Sequence, residues 1–362
     1  MKTNDELLVW YVKDVMPLTD SERKLLITER TDTKYVIDSL KMYERWNYDD
    51  MEDEFFCRMP FCNISHSTNT ISFANAGKDF IHMIFDKYVD DDTLVITSHY
   101  EHTSVKEHLA KCKNVIKFNM QEMRSLNVSK AILEAKKYKK AFVYIVGTNI
   151  TTGEITPQDF FIKLKTELDN YNIQYKMMCD DVHGMFLTPR DYSIFDYVLY
   201  TAHSLVSAYE CGILIQKGRQ PEFGELVYNW GYNYLDRLDI ILARRVKLFM
   251  FKHIMTERFR KLLTNPRLSL YSDTSQHIFS IKTQDIYISQ ETWEEMNNYF
   301  IRFGEHRMRE NQVRMRCQEF LKQTPEEIIE GCNKFENLML TLLEEADETM
   351  DTPEYNAKDI FV

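Results

Sequence analysis

Three short apolar runs in this chain each end in side chains able to do chemistry. Ala141–Val146 leads into Thr148 and Asn149, Tyr175–Cys179 into Asp180 and His183, and Tyr197–Tyr200 into Thr201, His203 and Ser204. Strands separated by helical spacers build a parallel sheet, and ligands sit beyond the carboxyl ends of such strands. One place therefore collects an amide, a carboxylate, two imidazoles and hydroxyls. A carboxylate at Asp180 can orient an imidazole, bind a metal, or pair with the protonated ring nitrogen of a cofactor. The blander alternative is a helix-capping Asp180 beside an ordinary polar His183. A metal needs several ligands close together. His99, His102 and His108 have a spacing that matches no ligand pattern, so no metal is expected.

The elements that must position these residues follow from periodicity. Thr93–Thr97 and Asn114–Phe118 read as strands, Lys106–Lys113 and Ser129–Lys140 as helices. Ala141–Val146 carries no interior charge and looks central in the sheet. Pro157, taken as the first helical residue, opens a helix to about Asn170. Tyr175–Cys179, Tyr197–Tyr200 and Gly212–Gln216 complete the strands. Upstream, Met59–Ser72 shows no period and reads as an irregular loop. Phe73–Asp79 leads into Phe80, Met83 and Ile84 at helical spacing, and the small residues Ala76 and Gly77, with Lys78, expose backbone N–H groups suited to a phosphate. An ordinary helix start explains the same residues.

Residues 1 to 50 look helical, through Leu7, Leu8, Tyr11 and Val12, a turn at Ser21–Lys24, and an amphipathic stretch from Thr31 to Trp46. From Glu222 a long charged and apolar pattern runs to about Leu263, as in a helix joining two lobes. His277–Ile281 and Ile286–Ile288 are expected to pair, Val313–Cys317 forms another strand, and Thr324 caps a final helix. The acidic tail after Glu345 is expected to fray. The expected layout is a helical arm (1–58), a large domain (59–221), a linking helix (222–263) and a small α+β domain (264–362).

A length of 362 residues suits one large domain plus a smaller one. The net charge of -11 argues against a general nucleic-acid surface. The cysteines are spread singly with no Cys-x-x-Cys, so neither a disulfide framework nor a thiolate zinc site is expected. The N-terminus lacks the basic and apolar regions of a signal peptide, and no run approaches the roughly 20 apolar residues of a membrane span. A cytoplasmic location follows, in a cell or an infected host. Scarce Gly (10 residues) with plentiful Lys, Asn, Tyr, Ile and Met suggests an AT-rich genome such as a phage.

The segment from about Asn63 to Gly212 resembles the large domain of fold-type I pyridoxal-phosphate (PLP) enzymes. It is most similar to the group II amino-acid decarboxylases of the histidine and serine decarboxylase kind, with class V aminotransferase features. Glu101-His102-Thr103-Ser104-Val105 resembles their His-x-Ser-Val element, whose histidine stacks on the pyridine ring. Gly147-Thr148-Asn149 and Thr152-Gly153-Glu154-Ile155 resemble their Gly-Thr-Thr and Gly-Ala-Ile segment. Asp180-Asp181-Val182-His183 resembles the Asp-x-Ala-His that holds the pyridine nitrogen and ring oxygen. Thr201-Ala202-His203-Ser204 resembles Ser-x-His-Lys, and Cys211-Gly212-Ile213 follows in place. The resemblance implies an aspartate-aminotransferase-like α/β fold, with a mostly parallel sheet in the large domain. It also implies a homodimer with its pocket at the subunit interface and a small amino compound as substrate. Ala76, Gly77, Lys78, His102, Thr148, Asn149, Asp180, His183 and Thr201 would bind pyridoxal or pyridoxamine 5'-phosphate. Family members place a carboxylate-binding Arg in a C-terminal strand, where Arg314 and Arg316 alternate onto one face; surface ion pairs with Glu310 or Glu319 are the more ordinary explanation.

The family's Schiff-base lysine falls on Ser204, and no Lys lies between Lys176 and Lys217. A lysine activates the cofactor and shuttles protons; a serine does neither well. Three explanations stand: an introduced inactivating substitution, a natural lysine-less enzyme in which His203 transfers protons, or a pseudoenzyme that binds or scaffolds. The expected activity is PLP-type chemistry on an amino compound, most like decarboxylation. A phage setting would suit modification of nucleotides or DNA bases.

Overall fold

The computed structural model describes residues 3–10, 12–13, 56–57, 63–65, 67–74, 76–184, 188–201, 212–223, 250–271, 277–284, 286, 296, 302–303, 311–316 and 323–350. The chain divides into two compact units: Met1–Pro17 with Met250–Val362, and Leu18–Phe249. The first helix, α1 (Asn4–Trp10), belongs to the smaller unit, whereas the sequence placed it in an arm of its own. The remainder of that arm lies almost wholly outside the described residues.

The larger unit is built on a sheet of seven strands: β1 (Asn69–Ala74), β2 (Leu94–Ser98), β3 (Val115–Phe118), β4 (Lys140–Val146), β5 (Gln174–Asp180), β6 (Tyr197–Thr201) and β7 (Gly212–Lys217). Their order is β1-β7-β6-β5-β4-β2-β3. From β3 to β6 neighbouring strands are parallel, and β7 runs antiparallel to both β6 and β1. The expected strands are all present. The irregular loop expected at Met59–Ser72 instead gives way to β1, which takes in Phe73 and Ala74 and pairs with β7 along its whole length. Its polar residues are accommodated inside: Gln216 Nε2 donates to Ser72 Oγ at 2.7 Å.

Helices α2 (Gly77–Tyr88) and α3 (Thr103–Leu109) pack on one face of the sheet. Phe80, Ile81, Ile84 and Phe85 form the apolar stripe of α2 against Phe142, Tyr144, Met178, Leu199 and Leu214. Strand alternation sends Phe142 and Tyr144 to that side and leaves Val143 and Ile145 for the other. Helices α4 (Met120–Arg124), α5 (Ser129–Tyr138) and α6 (Gln158–Asn170) follow β3 and β4. Phe160 and Phe161 of α6 meet Phe118 and Phe195 edge to face. α3 starts earlier than the expected Lys106, because the His102 imidazole caps it by accepting from Ser104 N–H. Pro157 is the N-cap of α6 rather than its first turn, with extended backbone.

The long pattern beginning at Glu222 does not start as a helix. Gln216 Oε1 accepts the N–H groups of Glu222 and Phe223, at 3.1 Å each, and bends the chain there. Lys87 pairs with the Glu222 carboxylate, and the hydroxyls of Tyr88 and Tyr197 donate to it. Residues 224–249 lie outside the described set; helix resumes at 250–258 in the smaller unit. That unit has β8 (Leu268–Leu270), β9 (Ile278–Thr283), β10 (Arg302–Phe303) and β11 (Asn311–Arg316) in the order β10-β11-β9-β8, all antiparallel. The expected pairing of His277–Ile281 with Ile286–Ile288 is replaced by β8 and β11 on either side of β9. The final helix α7 (Pro325–Met350) carries the expected cap, with Thr324 and Glu327 each accepting the other's N–H, and it runs five residues past Glu345 to Met350; residues 351–362 of the tail expected to fray lie outside the described set.

The junction that holds the sheet's carboxyl end is a buried ion pair that the sequence reading missed. Arg190 Nε donates to Asp181 Oδ2 at 3.1 Å, with side-chain exposures of 1% and 0%. Arg190 also donates to the carbonyls of Gly147 (2.9 Å) and Thr156 (3.2 Å), while Tyr192 and Thr148 donate to Asp181. A Cβ at Gly147 or Gly184 would collide with the Asp181 carboxylate, so those glycines make its room. Removing one partner of such a pair strands a buried charge. Arg190→Ala is expected to cost about 3–5 kcal/mol in denaturant unfolding. The double variant Asp181→Asn, Arg190→Met is expected to cost clearly less than the sum of its single changes. Additive losses would show that the pair is not coupled.

Candidate functional site

Strands β2, β4, β5 and β6 end side by side, and the residues beyond their ends form the site. Asp180 closes β5 at 6% exposure. Tyr144 O–H, from the adjacent β4, donates to Asp180 Oδ2 at 2.6 Å, and Val182 N–H donates to Oδ1 at 3.3 Å. Burial raises the Asp180 pKa; the Tyr144 and Val182 hydrogen bonds and the nearby His102 work against that. Among the described residues no Lys or Arg forms an ion pair with it. Tyr144 is fully buried and held well above its ordinary value, by burial first and then by the charges of Asp180 and Glu101.

Glu101 follows β2 and is itself buried, at 3% exposure. Its Oε1 accepts from Ser98 N–H (3.0 Å), Ser98 O–H and Val146 N–H (3.4 Å). Its Oε2 has no hydrogen-bond partner among the described residues. Burial pushes the carboxyl up to about 8, against the Ser98 hydrogen bonds and with the charge of Asp180 adding to the rise. His102, next in the chain, is exposed. Its Nδ1 lies 2.9 Å from Ser104 Oγ and accepts from Ser104 N–H, which fixes the ring's orientation.

Beyond β4, Thr148 is turned inward by its bond to Asp181 Oδ1, at 3.2 Å. Asn149 Oδ1 accepts from the N–H groups of Thr151 and Thr152 and closes the loop, whereas its buried Nδ2 has no acceptor among the described residues. His183 is buried in the turn after β5. At the end of β6, Thr201 touches the start of α2: a Cβ on Gly77 would stand 2.7 Å from Thr201 Cγ2. Gly212 lies equally close, since a Cβ there would stand 2.5 Å from Ala76 O. The structure thus brings Ala76, Gly77 and Thr201 together. The Ala76 N–H, however, donates to the Asp79 carboxylate at 3.0 Å, so Ala76 offers no donor to an anion. Lys78 is exposed.

His203 and Ser204 lie outside the described residues. Arg314 sits half-buried on β11, paired in register with Ser280; Arg316 pairs with Ile278, and its side chain is not among those described. Tyr144, Glu101, Arg190 and Tyr192 were not singled out from the sequence. The arrangement can hold a flat cation against Asp180 and offer a buried amide donor at Asn149. These donors and acceptors fit a protonated pyridine ring; the helix start fits its phosphate less well, because a carboxylate already occupies part of it.

No protein-family model matches the chain, and no curated protein does. Solved structures do. A NifS-like protein from Rickettsia africae matches with a TM-score of 0.61 at 13% identity, over 89% of this chain and 91% of that one. Serine palmitoyltransferase from Sphingomonas wittichii matches with a TM-score of 0.58 at 12% identity, over 85% of this chain and 84% of that one. A structure of SPT with PLP matches with a TM-score of 0.55 at 13% identity, over 88% and 85%. Identities this low show architecture alone: the mixed seven-stranded sheet with its flanking helices is the PLP-dependent transferase fold.

Proposed function

We propose that this chain binds a vitamin B6 phosphate, pyridoxal or pyridoxamine 5'-phosphate, without a lysine tether, and acts on a small amino compound. The observation that carries this reading is Asp180. It is a buried carboxylate with hydroxyl and amide donors but no Lys or Arg ion-pair partner among the described residues, and it closes a strand of a sheet whose fold is shared with a structure of SPT with PLP. When bound, the protonated pyridine ring withdraws electrons from the substituents at a substrate Cα. Asp180 keeps the ring nitrogen protonated. His102, oriented by Ser104, presents a ring face, and Asn149 Nδ2 donates to a ring oxygen. Gly77, Lys78 and Thr201 take the phosphate. His203 takes and returns the Cα proton, a role suited to a group that titrates near neutrality. Decarboxylation is the reaction most like this assignment, and a second copy of the chain would complete the pocket.

A second reading is a catalytically inactive binding or scaffold protein. It is favoured by Ser204 at the tether position and by the Asp79 carboxylate at the start of α2. No helix among the described residues is long and apolar enough to cross a membrane. A cytoplasmic site and a phage setting are part of this proposal and rest on composition.

Both cofactor forms are expected to raise the melting temperature, with about 2.7 kcal/mol of stabilisation at a hundredfold excess over Kd. Asp180→Ala is expected to weaken that binding about 10- to 100-fold. Absence of any thermal or absorbance response to either form would remove the B6 reading. Ser204→Lys is expected to create a borohydride-fixable covalent link to pyridoxal phosphate; failure to do so in a folded variant would mean that position 204 does not face the ligand. His203→Ala is expected to abolish turnover of an amino compound while leaving cofactor affinity within about twofold. Retained turnover would take His203 out of the mechanism.

A further inference from the structure

Glu101 is the acid in this site that the proposed function leaves unused. It is almost wholly buried, it crowds its acceptor capacity onto one oxygen, and it leaves the other without a partner. The backbone of β4 lies between it and Asp180: Val146 N–H reaches Glu101, and Val146 sits opposite Asp180 in register. The groups facing it are Ser98 from β2, Tyr144 from β4, and Asp180 and Cys179 from β5. Among these Asp180 is the one carboxyl, Tyr144 and Cys179 are weak acids, and none is a base. Two carboxyls whose charges act on each other in a dry setting do not both ionise readily.

We infer that Glu101 is a positioning residue for Asp180: a neutral carboxyl, protonated on Oε2, that holds the pair at one negative charge and releases its proton when a cation docks on Asp180. The balance is simple. The Oε2–H bond breaks, its electron pair stays on the carboxylate, and the proton passes to solvent. The cation contributes its charge and no electrons. This deepens the B6 reading and rests on it only for the identity of the cation, a protonated ring nitrogen.

The sign of the pH dependence follows from burial. The folded value of about 8 lies above the ordinary 4.5 of a glutamate. A neutral Glu101 therefore supports folding fully below the ordinary value, and that support is lost as the pH climbs toward the folded one. Glu101→Gln keeps the shape and the neutral form at every pH. The stability of E101Q relative to the wild type is thus expected to rise from about pH 5 to about pH 8. The same pH dependence in both proteins would overturn the inference.

The second measurement is calorimetric titration with pyridoxamine phosphate near neutral pH, in two buffers of different ionisation enthalpy. The wild type is expected to release more protons per ligand bound than E101Q; the ligand's own protons cancel in the difference. Equal release would overturn the inference. If neither protein binds the ligand, the proposed function fails and the stability arm still decides the role of Glu101. If E101Q does not fold, carbon-13 NMR of wild-type protein labelled at glutamate carboxyl carbons decides instead. One carboxyl titrating near neutrality or above supports the inference, and glutamates that all titrate in the ordinary acid range overturn it.

Discussion

At the end of β5 two consecutive carboxylates are buried, and among the described residues only Asp181 is ion-paired to a Lys or Arg. Asp181 is closed off by Arg190, Tyr192 and Thr148, and nothing about it is open to a ligand. The pair costs desolvation of both charges, and the carbonyls of Gly147 and Thr156 take up the remaining guanidinium donors. This ties the loop after β4 to the loop after β5. The turn that carries Asn149 and the strand end that carries Asp180 are thereby held at fixed distance. Asp180 is left with hydrogen bonds and, among the described residues, no Lys or Arg ion pair, which is the feature on which the proposed cation site rests.

Much of this was legible in the sequence, for a plain reason. Central strands here are apolar runs without interior charge, and helices keep their stripe, so β2 through β7 stand where periodicity put them. β1 was missed because Asn69, Thr70 and Ser72 break the apolar pattern; only the fold reveals Gln216 waiting to bond Ser72. The reversal of β7 had a usable signal. Only residues 202–211 separate it from β6, and a parallel crossover takes a dozen or more residues. Such a gap favours an antiparallel return.

The site divides in the same way. The places of Asp180, Asn149 and Thr201 at or just after strand ends were legible from the apolar runs that precede them, and the carboxyl ends of parallel strands are where ligands are expected. Arg190 was not, since an arginine in a Pro-Arg-Asp loop reads as surface charge until its partner is placed. Tyr144 passed as core because its ring is core, and only its hydroxyl does polar work. Glu101 was read as the neighbour of His102, although a glutamate so near a strand end has few routes to water.

In the proposed reading, with Ser204 where the family carries its lysine, the remaining contacts must accomplish more. A covalently held ligand tolerates a poor phosphate site, because the bond keeps it at high local concentration. An untethered ligand is held only by its reversible contacts, and here these are uneven. In that reading the ring end would meet Asp180 and a buried amide, while the phosphate end would meet a helix start whose Ala76 N–H already serves Asp79. A dianion placed there opposes that carboxylate, which offsets part of what the helix terminus contributes. Discrimination in such a pocket therefore falls on the charge of the ring. That makes the ionisation of Asp180, and of the acid beside it, the property on which ligand choice turns.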